Sequence, residues 1–148
     1  MCGSFFFKLG LLPQNIFDEI QAMRGADWTP DFSHRVYSII ANQNLYITNL
    51  SKSTQTDARP LPDSLFKEYL PAFHQEIAAI KPKRLITFGN QVSSILLSAP
   101  IKVSEARKLP ASLTVEKIEY PVYSTFYPVG QGMRNMNKAL EDIQWILR

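Results

Sequence analysis

An α/β fold built on a short, mostly parallel central sheet is predicted by three observations. Short runs of β-branched and aromatic residues recur along the chain, helical spacings separate them, and 148 residues of ordinary composition suit one domain, residues 1–148. Leu45-Tyr46-Ile47-Thr48, Arg84-Leu85-Ile86-Thr87-Phe88 and Val122-Tyr123-Ser124-Thr125-Phe126 read as strands. The alternation across residues 114–118 reads as a short extra strand.

The helices are read from spacing and from their ends. Ile16, Phe17 and Ile20 form a helical pattern after Pro13, and Val36, Ile39 and Ile40 suggest a helix over about 31–42. A helical segment starts near Asp63, taken as its N-cap after Pro62, with Phe66, Tyr69, Phe73, Ile77 and Ile80 on one face. Pro71 is expected to bend it or to open a new first turn. A short helix over 91–98 is expected with Asn90 as its cap. Met133, Met136, Leu140, Ile143 and Leu147 give the last helix a core-facing stripe.

With 45% hydrophobic and 20% charged residues the chain is a globular domain rather than a disordered tail. Its most apolar stretches, such as residues 36–41, fall far short of the ~18 residues that cross a bilayer. The N-terminus lacks the pattern of a secretory signal, so a cytoplasmic location is expected. A single cysteine, Cys2, excludes an internal disulfide and any all-thiolate metal site, and with nothing nearby to lower its pKa it reads as unreactive. Charge is uneven: residues 81–110 hold Lys81, Lys83, Arg84, Lys102, Arg107 and Lys108 against the one acid Glu105. Such a region suits a polyanion such as nucleic acid, and equally a solvated basic face.

Ligands of parallel α/β sheets bind beyond the carboxyl ends of the strands. Three polar loops fall there: Thr48-Asn49-Leu50-Ser51-Lys52, Gly89-Asn90-Gln91, and Phe126 through Gly132. The Asn49 amide donates and accepts at once, as reading the edge of a base requires. Gly89 allows close backbone approach ahead of a helix, the Gly130-Gln131-Gly132 turn is able to enclose a ligand, and Arg134 is placed to meet a phosphate.

These segments resemble the uracil-DNA glycosylase superfamily, most closely its iron–sulfur type. Tyr46-Ile47-Thr48-Asn49-Leu50-Ser51-Lys52-Ser53, with Asp57-Ala58-Arg59-Pro60 after it, is similar to that family's second-strand motif. Glu76-Ile77 and Lys81-Pro82-Lys83-Arg84-Leu85-Ile86-Thr87-Phe88-Gly89 resemble its next segment. Thr125-Phe126-Tyr127-Pro128 stands where the family has Thr-x-His-Pro, before a helix with an acid and a Trp, here Asp142 and Trp145. The resemblance covers about residues 45–148.

It implies a three-layer α/β/α domain that flips uracil or a related damaged base out of DNA and hydrolyses its N-glycosidic bond. Asn49 matches the base-reading Asn, and Tyr127 takes the place of the His that donates to the base oxygen, making these two the catalytic candidates. Asn49, Phe7, Gly89 and Asn90 are the base-binding candidates, with Phe5–Phe7 equally readable as a buried strand or helix. Lys52, Arg59, Gly130, Gly132, Met133 and Arg134 are the DNA-binding candidates. Met133 reads either as an apolar wedge or as the start of the core stripe.

The family's first motif, a strand ending in Gly-x-x-Pro-Gly with a water-positioning acid, has no counterpart here, so the first, central strand is expected to be missing. Ser53 and Tyr69 stand at cluster-cysteine positions, and no cofactor or metal is expected. Asp57 is a candidate to position water, or a turn residue before Arg59-Pro60. His34, His74, Trp28 and Trp145 read as structural.

The leading expectation is a DNA glycosylase; the alternative is a catalytically impaired DNA- or nucleotide-binding protein of the same fold. A small-molecule enzyme using Gly89 as a phosphate turn is the third reading, and lacks a Gly-rich fingerprint. DNA is the expected partner, membranes are not, and the protein is expected as a monomer or as a dimer through an exposed sheet edge.

Overall fold

The computed structural model describes residues 3–53, 59–128 and 130–148, so the expectations for Cys2 and Asp57 lie outside the described residues. Contacts divide the chain into two compact units, Met1–Thr48 with Val129–Gln131, and Asn49–Pro128 with Gly132–Arg148.

The first unit is helical. Helix α1 (Gly3–Lys8) holds Phe5, Phe6 and Phe7, which settles the N-terminal aromatics as a helix. Phe7 stacks face to face on Phe17 of α2 (Gln14–Ala22), with ring centroids 4.2 Å apart and planes 8° from parallel. Helix α3 (Pro30–Ala41) starts where the sequence signals a start: the Thr29 hydroxyl accepts the Phe32 amide at 3.1 Å, and Pro30 occupies the first turn, where its missing N–H costs nothing. Its buried residues Phe32, Val36 and Ile40 recur every four positions, one face of a helix. Leu45–Thr48, expected to be a strand, has no regular structure. A strand exists only by pairing, the sheet has three other strands, and Tyr46 and Ile47 stay 59% and 37% exposed.

The second unit carries the sheet. Pro62 caps α4 (Asp63–Glu68), so Asp63 is the first helical residue rather than the cap. Pro71 opens a new first turn, in α5 (Leu70–Ile80), which ends on Lys81 in the left-handed conformation. Strand β1 (Leu85–Phe88) leads through Gly89, at φ 87°, into α6 (Asn90–Leu97); the cap there is Gly89 and not Asn90. The short helix α7 (Val103–Ala106) precedes β2 (Pro110–Val115) and β3 (Ile118–Thr125). A 3-10 turn, Gly130–Asn135, runs into α8 (Met136–Ile146).

The sheet order is β1-β3-β2, with β1 parallel and β2 antiparallel to β3, so the sheet is mixed rather than mostly parallel. The expected extra strand over 114–118 is in fact a hairpin corner. Val115 pairs with Ile118, and Glu116 and Lys117 between them both have positive φ, 49° and 69°.

Register sorts the two faces of the sheet. Leu85, Leu113, Val115 and Tyr120 face α5, where Phe73, Ile77 and Ala78 pack against them. Burying Ile77 or Val115 there is worth about 2 kcal/mol each. Thr87, on the same face, meets Ser93 of α6. On the opposite face Thr125 bonds Asp142 and Tyr123 meets Trp145 edge-on, both on α8. The second unit is therefore helix, sheet, helix. The core stripe of α8 is Met136, Ala139, Leu140, Ile143 and Ile146. Met133 (60% exposed) and Leu147 (46%) drop out of the predicted stripe, because the helix begins only at Met136 and ends at Ile146. Among the described residues no helix is long and apolar enough to cross a membrane.

Candidate nucleic-acid site at the strand ends

Parallel pairing brings the carboxyl ends of β1 and β3 to one rim. The Gly89 amide donates to the Thr125 carbonyl at 2.8 Å, joining the two chain exits. A Cβ on Gly89 would lie 3.9 Å from the Cβ of Tyr127, so these two candidates are neighbours. Tyr127 is 55% exposed, and its hydroxyl has no hydrogen-bond partner among the described residues. In the chain Tyr127 stands between Phe126 and the buried Pro128.

Two polar clusters support this rim, one on each face of the sheet. On the α6 side, the Thr87 hydroxyl lies 2.7 Å from that of Ser93 and 3.2 Å from that of Ser124, and Ser93 donates to the Gly89 carbonyl at 2.8 Å. On the α8 side, Thr125 donates to the carboxylate of the fully buried Asp142 at 2.6 Å. Arg107 Nε donates to both oxygens of the same carboxylate, at 2.9 and 3.0 Å. A buried carboxylate persists when it is paired and hydrogen-bonded, and Asp142 is both. The Arg107 guanidinium and the Lys138 ammonium also lie 5.8 and 5.2 Å from the centre of the Phe126 ring, a cation–π arrangement. Glu141 completes the cluster. Hydrogen bonds from Lys108 and then Arg107 hold its carboxyl below the usual carboxylate range.

The remaining candidates lie on several different segments. Asn49 is exposed and precedes the buried Leu50 and Ser51. Asn90 is exposed, but its Oδ1 accepts the Val103 amide at 2.9 Å, which ties α6 to the start of α7. Lys52 is ion-paired with Glu76 at 2.8 Å, and Arg59 is exposed. Gly130, Gly132, Met133 and Arg134 lie in the 3-10 turn, with Met133 and Arg134 exposed. Phe7 belongs to the first unit, where Phe17 covers one face of its ring.

The basic region over 81–110 is less free than its sequence suggests. Arg84 donates to the Ile146 carbonyl, Lys102 pairs with Glu105, Arg107 with Asp142 and Glu141, and Lys108 with Glu141. Lys81 and Lys83 remain exposed, without an ion-pair partner among the described residues.

Ser53 and Tyr69 hydrogen-bond to each other, with hydroxyl oxygens 3.1 Å apart. Two mutually bonded hydroxyls in a chain with one cysteine do not fit an iron–sulfur cluster, which thiolates hold. Among the described residues no three His, Cys, Asp or Glu side chains gather as metal ligands.

In α/β domains the rim where parallel strands end and turns leave them is where ligands bind. The family model for the uracil DNA glycosylase superfamily matches residues 10–145, and the chain belongs to that superfamily. The match begins well upstream of the motifs at 46–60 and takes in the helices of the first unit from residue 10 onward. No curated protein and no solved structure matches the chain.

Proposed function

We propose that the protein removes uracil or a related damaged base from DNA by hydrolysis of the N-glycosidic bond. The observation that carries this reading, beside the superfamily membership, is the exposed and unpartnered phenol of Tyr127 next to Gly89 at the strand-end rim. Breaking the bond between the sugar C1′ and the base nitrogen builds positive charge on the sugar and negative charge on the base. Water then adds to C1′, and its proton leaves with the base. Donors aimed at the base oxygens lower this barrier by meeting charge as it develops. Tyr127 supplies one such donor through its hydroxyl, and Asn49 supplies an amide able to pair with the edge of a pyrimidine. Gly89 and Asn90 complete the base-binding group in this reading, and Lys52, Arg59, Gly132, Met133 and Arg134 the DNA-binding group.

A single-turnover assay on uracil-containing single- and double-stranded DNA, with enzyme in excess, tests the proposal. The unmodified protein is expected to release base, and Asn49→Ala to slow release about 100-fold. DNA binding without any release by the unmodified protein would leave only the non-catalytic binding reading standing.

A further inference from the structure

We propose that the chain Arg107–Asp142–Thr125 is the positioning device for Tyr127: by fixing the last residue of β3 it sets where the phenol stands over a bound base. The inference rests on Tyr127 being the donor to the base, and it concerns residues outside the loops that would touch DNA.

Tyr127 has no hydroxyl partner among the described residues, so its place depends on the backbone that carries it. That backbone leaves the sheet at Thr125, which is fully buried and is held at two points. Its carbonyl accepts from Gly89 at 2.8 Å, and its hydroxyl donates to Asp142 at 2.6 Å. Asp142 is in turn gripped by Arg107, whose guanidinium also lies over the ring of Phe126, the residue between Thr125 and Tyr127. Lys138 approaches the same ring from α8. The side-chain ties on residues 125 and 126 thus come from α8 and from Arg107 at the end of α7, and Asp142 joins the two helices. A carboxylate with no exposure and with both partners in place is a stiff tie for the strand end, because breaking it would leave a buried charge unpaired.

The test combines base release with amide hydrogen exchange in the full chain. Thr125→Val removes the hydroxyl at nearly constant volume, and Asp142→Asn serves as a second variant that keeps an acceptor but gives up the charge holding Arg107. Both are expected to lower kcat by about 10- to 100-fold while KM for DNA changes by less than about 2-fold, the signature of misplaced chemistry rather than lost binding. Thr125→Ser, which returns a hydroxyl, is expected to recover the loss. Combined with Tyr127→Phe, Thr125→Val is expected to add little further loss, because both act through one phenol. Additive losses, an unchanged kcat, or a loss confined to KM would each overturn the proposal. Exchange at the Phe126 and Tyr127 amides is expected to quicken at least about 10-fold in Thr125→Val while exchange in β2 stays as it was. If the unmodified protein releases no base, the reading of the site has failed, and the exchange result alone decides the tie: quicker exchange supports it and unchanged exchange overturns it.

Discussion

Tyr120 carries a hydroxyl into the apolar cluster of Ile77, Val115, Phe73, Leu85 and Leu113, and that hydroxyl has no hydrogen-bond partner among the described residues. A buried unpaired hydroxyl costs roughly 1–3 kcal/mol, while the ring itself contributes its full apolar burial. Tyr120→Phe is therefore expected to raise stability by about 1 kcal/mol, read as a higher urea midpoint with unchanged slope. The opposite logic applies to Asp142, where every partner is present and removing one leaves a buried charge. Tyr120 cannot be singled out from its neighbours in the chain, and Asp142 stands out there only as the acid that the family resemblance marks, not by its partners. Asp142 finds Thr125 across 17 residues and Arg107 across 35, and no local pattern encodes such pairings. Asn49, Gly89 and Tyr127 become candidates because they come just after strand-like runs, and the rim makes neighbours of Gly89 and Tyr127.

Among the elements, α3, α5 and α8 are legible to within a few residues, since a buried face recurring every three or four positions is a signal sustained over several turns. The strand at 85–88 and the second half of the strand at 118–125 are legible from their β-branched runs, while residues 119–121 escape that reading. Two departures share one cause. The segment 45–48 has strand-like residues without a pairing partner, and 114–118 has strand-like alternation that crosses a corner. Pairing is a long-range property, whereas alternation is a local one. The corner is hidden in the sequence because Glu116-Lys117 adopts positive φ at both positions without the Asn-Gly that usually marks such a hairpin. Replacing the pair by Glu116→Asn and Lys117→Gly is expected to stabilise the protein by about 1 kcal/mol, with a rise of a few degrees in Tm. An unchanged or lower Tm would mean that the corner is held by more than its own backbone preferences.

For the whole molecule, net charge is a poor guide to how a polyanion would be met. The chain carries 16 basic and 13 acidic residues, and its densest basic stretch spends most of its cations on acids and a carbonyl of its own. Binding to DNA releases about 0.9 counterion per neutralised phosphate, so the slope of log affinity against log salt counts the cations actually offered. Lys81→Ala with Lys83→Ala is expected to reduce that slope by up to about 2, and Lys102→Ala with Lys108→Ala by distinctly less. Equal reductions in a salt titration of DNA binding would show that the internal pairs give way to phosphate.

The strand order has a consequence for how the chain is made. Every strand pairing of the sheet includes β3, and β3 is the last of the three to be synthesised. When Phe88 leaves the ribosome, Thr125 is still 37 residues away, roughly two to seven seconds at ~5–20 residues per second. Throughout that interval Leu85-Ile86-Thr87-Phe88 is a largely apolar tetrapeptide with no edge to join, and it depends on the nascent helices around it to stay out of aggregates. The bond from Gly89 to Thr125 and the grip of Asp142 on the same residue need residues 125 and 142 to have been made, so a ribosome stalled before residue 118 carries neither.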